Sequence, residues 1–180
     1  YIQKLKDERF VVGLVYIDNY EEALDSTDDV RRSLLAGLID KRVNKYFSPG
    51  SAIVRKLEKD KYIVVLRYNF LEKLMHDRFS LLEEIKSIKI GNEMTLTLSM
   101  GIGTGSAEYS KNYDVAKAAM DLALGRGGDQ AVVKDGEKIL YYGGKSQQME
   151  KNTRVKVRVK AHALRQILDN NSNVLVMGHT

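Results

Sequence analysis

The chain has 180 residues with no cysteine, one proline and 14 glycines, and 43% of its residues are hydrophobic. This length allows one domain with an appendage, and a core large enough to fold without covalent cross-links. The lack of cysteine excludes a disulfide scaffold, a cysteine-ligated zinc site and a thiol nucleophile. No apolar run approaches the ~18 residues that a transmembrane helix needs. Because the sequence begins at Tyr1 with neither a start methionine nor a signal peptide, we expect it to be a piece of a larger protein.

The net charge of +5 is concentrated near the C-terminus. Residues 1–144 contain 22 Lys and Arg against 22 Asp and Glu, whereas residues 145–180 contain seven basic residues against two acidic ones. Such a segment is typical either of nucleic-acid binding or of a solvated linker. No aromatic residues interleave with the basic ones, so bases would find no stacking platform. We therefore expect a linker here and no nucleic-acid partner.

The first half of the chain predicts a strand, a helix and a hairpin. The continuous apolar run 10–17 predicts a buried strand. Residues 20–46 have apolar residues at helical spacing. The segments 52–57 and 62–68 are rich in β-branched residues, and the polar stretch 58–61 between them predicts a hairpin.

The second half continues with a helix over 70–88, a strand over 94–102, a helix over 113–124 and a small hairpin that turns at Asp135-Gly136. The resulting order, β-α-β-β-α-β followed by a helix and a hairpin, predicts an α+β, ferredoxin-like fold. We expect a central antiparallel sheet with two helices on one face. Many unrelated functions use this fold, so the order by itself identifies no chemistry.

We predict a domain over residues 1–142, followed by a polar linker and connecting helix over 143–172. Residues 154–160 alternate as a strand does, but they also share a helical stripe with the residues that follow, and we favour the helix. The final residues, 173–180, predict the first strand of a further domain that this chain truncates.

Several phrases resemble a known family. LTLSMGIGTG near the fourth strand and AAMDLAL in the next helix are similar to GGDEF domains, which make cyclic di-GMP from GTP on a palm-like ferredoxin fold. ALGRGGDQAVVKDG followed by YYGGKS resembles the degenerate GGDEF domain of membrane-anchored cyclic-di-AMP phosphodiesterases. The final NVLVMGHT resembles the opening of the DHH domain of those proteins.

The resemblance implies a parent protein on the cytoplasmic side of the bacterial membrane, with an upstream PAS sensor domain and a downstream DHH/DHHA1 domain that hydrolyses cyclic di-AMP. In that parent, His179 would be a Mn²⁺ ligand whose partner carboxylates lie beyond this chain. One imidazole cannot hold a catalytic cation alone, so we expect no phosphodiesterase activity from the 180 residues themselves. An exposed strand edge invites pairing, so we expect the last segment to be disordered, to pack on the domain or to mediate a homodimer.

The phrase that opens the active site of GGDEF enzymes is altered here. Its first Asp, a magnesium ligand in the family, is Tyr16, and its Lys is Glu21, whereas its second Asp survives as Asp18. The residues that read guanine in the family correspond to Leu24 and Ser33.

The signature motif itself corresponds to residues 58–62, Glu-Lys-Asp-Lys-Tyr. Its third position, a metal ligand in the family, survives as Asp60, and its catalytic acidic position is Lys61. Two-metal phosphoryl transfer needs several carboxylates. Asp18 and Asp60 could together hold at most one Mg²⁺, with nucleotide phosphates supplying further oxygens. The resemblance therefore implies a domain that makes no cyclic di-GMP.

Weak binding of ATP or a similar nucleotide remains as an expectation, without preference for GTP. The candidate binding residues are Asp18, Asn19, Tyr20, Asp60, Lys61 and Arg126. In the alternative interpretation, Asp18 caps a helix, Asp60 is a turn residue and Arg126 belongs to a helix C-cap. The functional alternatives are a regulatory domain, which we favour, and a residual nucleotidyl cyclase or slow ATPase.

Overall fold

The computed structural model describes residues 9–25 and 27–144. The chain forms two compact units, Tyr1–Gly144 and Lys145–Thr180. All described residues belong to the first unit. The predicted connecting helix, the predicted last strand and His179 lie outside the described residues.

The described residues form six strands, five α-helices and one 3-10 helix (Ser48–Gly50), and the predicted α+β class is confirmed. The strands are β1 (Phe10–Ile17), β2 (Ile53–Glu58), β3 (Lys61–Arg67), β4 (Leu98–Thr104), β5 (Gln130–Asp135) and β6 (Lys138–Gly143). The helices are α1 (Tyr20–Asp25), α2 (Asp29–Phe47), α3 (Tyr68–His76), α4 (Leu81–Lys86) and α5 (Tyr109–Gly125).

The helix that the sequence predicts over 20–46 is divided into α1 and α2. Asp28 adopts extended backbone geometry, and its carboxylate accepts a hydrogen bond of 2.9 Å from the N–H of Arg31. This capping bond satisfies an N–H group that the first turn of a helix leaves without a partner. A second helix therefore starts after Asp28.

The helix predicted over 70–88 is also divided, into α3 and α4. Arg78 and Phe79 between them both have a φ of 56°, in the left-handed region. The Phe79 ring is fully buried. Burial of an aromatic ring of this size outweighs the cost of the unusual backbone conformation, which amounts to roughly 1–2 kcal/mol.

The strands form one sheet in the order β2-β3-β1-β4-β5-β6. The predicted antiparallel pairing is confirmed for β2, β3, β1 and β4, whereas β5, the first strand of the added hairpin, pairs with β4 in parallel. The physical reason is the connection: the 17-residue helix α5 joins these two strands, and a helical crossover returns the chain in the same direction.

Helices cover both faces of the sheet: α2 lies with α3 and α4 on one face, as predicted for the helices of the β-α-β-β-α-β unit, and the helix that follows this unit, α5, covers the other face. Alternate residues of β1 point to opposite sides, as strand geometry requires. Val11 and Val15 belong to the large core under α2, α3 and α4, whereas Val12 and Leu14 pack against α5.

One end of the sheet, which we call the Asp18 end, contains the last residues of β1 and β6 and the first residues of β3, β4 and β5. The register fixes this: Tyr16 pairs with Lys61, Ile17 with Leu98, and Gln130 with Gly143. The altered signature hairpin and the point at which the chain leaves the domain therefore share one end. No helix within the described ranges has both the length and the hydropathy that crossing a bilayer requires.

Candidate functional site at the Asp18 end of the sheet

Asp18 directly follows β1, and its carboxylate is fully engaged by protein donors. Oδ1 accepts a hydrogen bond from the Ser99 hydroxyl at 2.7 Å. Oδ2 accepts from the Thr97 hydroxyl and from the backbone N–H of Asp129, both at 3.0 Å. None of these donors belongs to α1, so Asp18 is not a helix cap. Burial raises the pKa of the Asp18 carboxyl despite the hydrogen bonds from Ser99, Asp129 and Thr97.

Asn19 and Tyr20 also have structural partners. The Asn19 amide donates to the Thr95 carbonyl at 2.8 Å, and its oxygen accepts the Thr97 N–H at 3.1 Å. Asn19 thereby holds the segment that leads into β4. Tyr20 is buried in the large core, and burial raises the pKa of its hydroxyl. Neither side chain is placed to contact a nucleotide without a change of partners.

Asp60 lies in the turn between β2 and β3, and its backbone carbonyl accepts the N–H of Ile17 at 2.9 Å. This bond brings the turn beside the end of β1. The carboxylate of Asp60 is partly exposed and makes no hydrogen bond or ion pair with any residue of 9–25 or 27–144. It is the acidic group at this edge that is open to a cation.

Lys61 stands where the family has its catalytic acidic residue, and its ammonium donates to Glu58 at 2.8 Å. The same ammonium lies 5.5 Å from the centre of the Tyr16 ring, which stands where the family has a metal ligand. The hydrogen bond to Glu58 raises the pKa of Lys61. Burial raises the pKa of the Tyr16 hydroxyl. The structure thus places a cation beside a phenol at two positions that the resemblance assigns to acidic groups.

The two positions that the resemblance assigns to guanine recognition are Leu24 and Ser33. Leu24 is buried in the core, 5% exposed, and Ser33 is exposed on α2. An apolar side chain offers nothing to the edge of a base, so this part of the site lacks the groups that guanine recognition uses.

Arg126 has its partners on β5 and β6. Its guanidinium is 4.3 Å from the centre of the Tyr141 ring on β6, and its Nε donates to the Gln130 side chain at 3.2 Å. The structure therefore brings Asp18, Asn19 and Asp60 to one edge, and Arg126 contacts Tyr141 and Gln130, the first residue of β5 at the same end of the sheet. The alternative interpretation, that Arg126 belongs to the end of a helix, agrees with its N–H bond to the Leu122 carbonyl.

The sequence analysis missed Asp129, which links Asp18 to the rest of the site. Asp129 is 1% exposed, and its carboxylate forms an ion pair of 2.8 Å with Lys86 at the end of α4. Burial alone would lower the pKa of Lys86, but its hydrogen bonds to Asp129 and Glu83 outweigh that effect and raise it. The glycines Gly127 and Gly128 directly before Asp129 were the available signal, because they indicate an unusual backbone at this point.

The capacity of this edge for Mg²⁺ is limited by these contacts. Within the described ranges there is no group of three or more His, Cys, Asp or Glu residues that could hold a metal ion. Asp60 fits as a single ligand, whereas Asp18 would have to give up a hydrogen bond. The residues therefore fit Mg²⁺ only if nucleotide phosphates supply the remaining oxygens.

Comparison with known proteins identifies relatives for nearly the whole chain. Residues 15–140 match the family model described as "Cyclic-di-AMP phosphodiesterase GdpP-like, GGDEF domain". The cyclic-di-AMP phosphodiesterase GdpP of Geobacillus thermodenitrificans is 37% identical over 173 residues, which cover 96% of this chain and 26% of the relative. GdpP of Bacillus subtilis is 36% identical over 180 residues, which cover 99% of this chain and 27% of the relative. The chain thus spans about a quarter of the length of these curated relatives.

Among solved structures, the active GGEEF domain of a diguanylate cyclase from Vibrio cholerae aligns with a TM-score of 0.58. The alignment covers 72% of this chain and 84% of that domain at 13% identity. At this level of identity the likeness shows the fold alone, and that fold is the one the sequence predicts.

Proposed function

The chain belongs to the family of GGDEF domains of GdpP-like cyclic-di-AMP phosphodiesterases, and we propose that it is a regulatory domain without cyclase activity. The observation that carries the proposal is the contact between Lys61 and Tyr16. An ammonium and a phenol ring, 5.5 Å apart, occupy the positions of two acidic groups. Two-metal phosphoryl transfer needs carboxylates at such positions to bind both cations.

The remainder of the proposal concerns the protein from which the chain derives. Its curated relatives are named cyclic-di-AMP phosphodiesterases. We extend that activity to the parent of this chain, together with a PAS sensor domain, a Mn²⁺-dependent DHH/DHHA1 domain that includes His179, and a membrane anchor. The described domain would then stand between the sensor and the hydrolase and influence the activity of the latter.

A direct assay tests the absence of cyclase activity. The 180-residue chain, incubated with GTP and either Mg²⁺ or Mn²⁺, is expected to form no cyclic di-GMP detectable by mass spectrometry. An active GGDEF cyclase in the same buffer serves as the positive control. Product that disappears in Asp60→Ala would overturn the proposal, because it would show a working metal site.

A second candidate function, weak binding of a Mg²⁺–nucleotide, is favoured by the state of Asp60. Its carboxylate is partly exposed and has no protein partner in the described part of the chain. With Leu24 buried and Ser33 in place of guanine-reading groups, the affinity for GTP should not exceed that for ATP. Calorimetric titration with Mg²⁺–ATP and Mg²⁺–GTP tests this, with Asp60→Ala as the variant that should lose the heat. A tenfold preference for GTP, about 1.4 kcal/mol, would contradict the proposal.

A further inference from the structure

Two hydrogen bonds join Asp18 to the point at which the chain leaves the domain. The carboxylate of Asp18 accepts the N–H of Asp129 at 3.0 Å. The carbonyl of the same Asp129 accepts the N–H of Gly144 at 2.9 Å. Asp129 therefore connects Asp18 to Gly144.

The backbone around Asp129 needs outside contacts to hold its shape. Gly127, Gly128 and Asp129 have φ values of 100°, 75° and 56°, so three successive residues are in the left-handed region. A non-glycine residue in this region is uncommon and carries a steric cost. The contact of the Asp129 N–H with Asp18 and the ion pair of its carboxylate with Lys86 fix the residue in this conformation.

The carboxylate of Asp18 lies close to the backbone of Gly128. A Cβ atom added to Gly128 would lie 2.8 Å from Oδ2 of Asp18. The carboxylate therefore packs directly against the backbone that precedes Asp129. At the other side, a Cβ atom on Gly143 would lie 3.1 Å from the Asp129 carbonyl oxygen and 2.8 Å from the side chain of Leu82. The last residues of β6 are thus fitted tightly to this loop.

We propose that Asp18 acts as a clamp on the exit of the domain, so that the occupancy of the nucleotide edge and the order of Gly143–Gly144 are coupled. The ligand side of this coupling rests on the proposed binding of a Mg²⁺–nucleoside triphosphate. Oδ2 of Asp18 either accepts the N–H of Asp129 or turns toward a cation beside Asp60. A ligand that binds Asp18 therefore weakens the hydrogen bond between Asp18 and Asp129. By thermodynamic reciprocity, an intact hydrogen bond lowers the affinity for the ligand.

The direction of the effect follows from the order of the contacts. Without Asp18 as acceptor, Asp129 loses one of the interactions that hold it at a positive φ. Its carbonyl then no longer has a fixed position for the N–H of Gly144. Gly144 comes directly before Lys145, where the second unit of the chain begins. The clamp thus gives a bound nucleotide a physical means to alter the backbone at Gly143–Gly144.

Backbone amide hydrogen exchange of the 180-residue chain, followed by NMR, tests the clamp. Asp18→Asn leaves one side-chain oxygen and no charge to accept from Thr97, Ser99 and the N–H of Asp129, which weakens the bond to Asp129, and the exchange of the Gly144 N–H should accelerate about tenfold or more. The N–H groups of Leu14 and Val64, in the sheet core, should change far less. Asp60→Asn is the matched control at the same edge, and it should leave Gly144 unchanged.

The clamp is overturned if Gly144 exchanges as in the wild type, or if Leu14 and Val64 accelerate as much as Gly144 does. Should Asp18→Asn fail to fold, the double variant Thr97→Val/Ser99→Ala keeps the carboxylate but removes the hydroxyls that position it. Its Gly144 exchange should also rise, and an unchanged rate would contradict the clamp.

Addition of Mg²⁺–ATP to the wild-type chain tests the coupling separately. Binding heat together with faster Gly144 exchange supports the competition for Asp18, and Asp60→Asn should abolish both. Binding heat with unchanged exchange overturns the competition. Absence of binding heat overturns the proposed nucleotide function, and the comparison of Asp18→Asn with the wild type still decides whether the clamp exists.

Discussion

The ammonium of Lys59 pairs with the carboxylate of Glu21 and so joins the turn between β2 and β3 to the first turn of α1. The pair therefore fixes the turn that holds Asp60 beside the start of the helix that follows Asp18.

We expect this pair to contribute little to stability. Both side chains are more than half exposed, at 64% and 53%. Exposed ion pairs typically contribute about 0.2–1 kcal/mol and are screened by salt. Glu21→Gln should therefore lower the free energy of unfolding by less than about 1 kcal/mol, as measured by urea denaturation. A double-mutant cycle with Lys59→Met isolates the pair, and a coupling that persists in concentrated salt would contradict this expectation.

Gly101 and Gly103 of β4 allow α5 to pack directly on the sheet, and their replacement should be severe. A Cβ atom on Gly103 would lie 2.2 Å from the Asn112 carbonyl oxygen, and one on Gly101 would lie 2.4 Å from the Met120 nitrogen. Backbone cannot give way as a flexible side chain can. Gly103→Ala should therefore cost about 2–3 kcal/mol or more of unfolding free energy.

Gly37 supplies the matched control for the Gly103 substitution. It lies within α2, and a Cβ atom there would have no neighbour within 4 Å. Because alanine is the better helix former, Gly37→Ala should raise the unfolding free energy by about 0.5–1 kcal/mol. Equal destabilisation by the two substitutions would show that the approach of α5 to β4 is not as close as described.

Removal of the cation beside Asp129 should be strongly destabilising. The side chain of Lys86 is 18% exposed and that of Asp129 is 1% exposed. Lys86→Met leaves a buried carboxylate without its ion pair, which typically costs about 3–5 kcal/mol. Lys111→Met is the control, since Lys111 pairs with Glu108 at the surface with 64% exposure. Thermal unfolding of the two variants should separate them clearly, and similar melting temperatures would refute a buried ion pair.

The effect of Asp18→Asn on stability should depend on pH. Burial raises the pKa of Asp18 above its ordinary value of 3.8. The folded state therefore binds this proton more tightly than the unfolded chain does. The resulting contribution to stability is fully present below 3.8 and is lost as the pH rises through the raised pKa. Because Asn does not titrate, the stability difference between the wild type and Asp18→Asn should shift in favour of the wild type as the pH falls from about 7 to about 4.

Asp77 provides a control, because its pKa is shifted in the opposite direction to that of Asp18. Burial alone would raise its pKa, but hydrogen bonds from Ser80 and Tyr46 outweigh that effect and lower it. The contribution of Asp77 is therefore present above 3.8 and is lost as the pH falls through the lowered pKa. Denaturant titrations at a series of pH values should show that the stability advantage of the wild type over Asp77→Asn decreases as the pH falls. The same direction for both variants would mean that one assignment is wrong.

Local patterns in the sequence determined most of the secondary structure. The run Phe10–Ile17 is the strand that was predicted, because eight apolar residues in succession suit a strand that is covered on both faces. The hairpins around Asp60 and Gly136 were also identified, since turn residues act within a few positions. The division of the long predicted helix at Asp28 was within reach as well, because an aspartate before a helical run is a capping signal.

Contacts between residues far apart in the sequence were decided only by the tertiary structure. The sequence singled out Asp18 and Arg126 as neighbours in one site, yet Arg126 contacts Tyr141, and the partners of Asp18 are 79 to 111 positions away. The parallel pairing of β4 with β5 and the order of the strands bring Gln130 and Gly143 to the end at which β1 finishes. No local pattern encodes such a meeting, because it depends on which strands become neighbours when the core is buried. For that reason the sequence could single out Asp18 as a candidate site residue, whereas only the packed sheet placed it beside the point at which the chain leaves the domain.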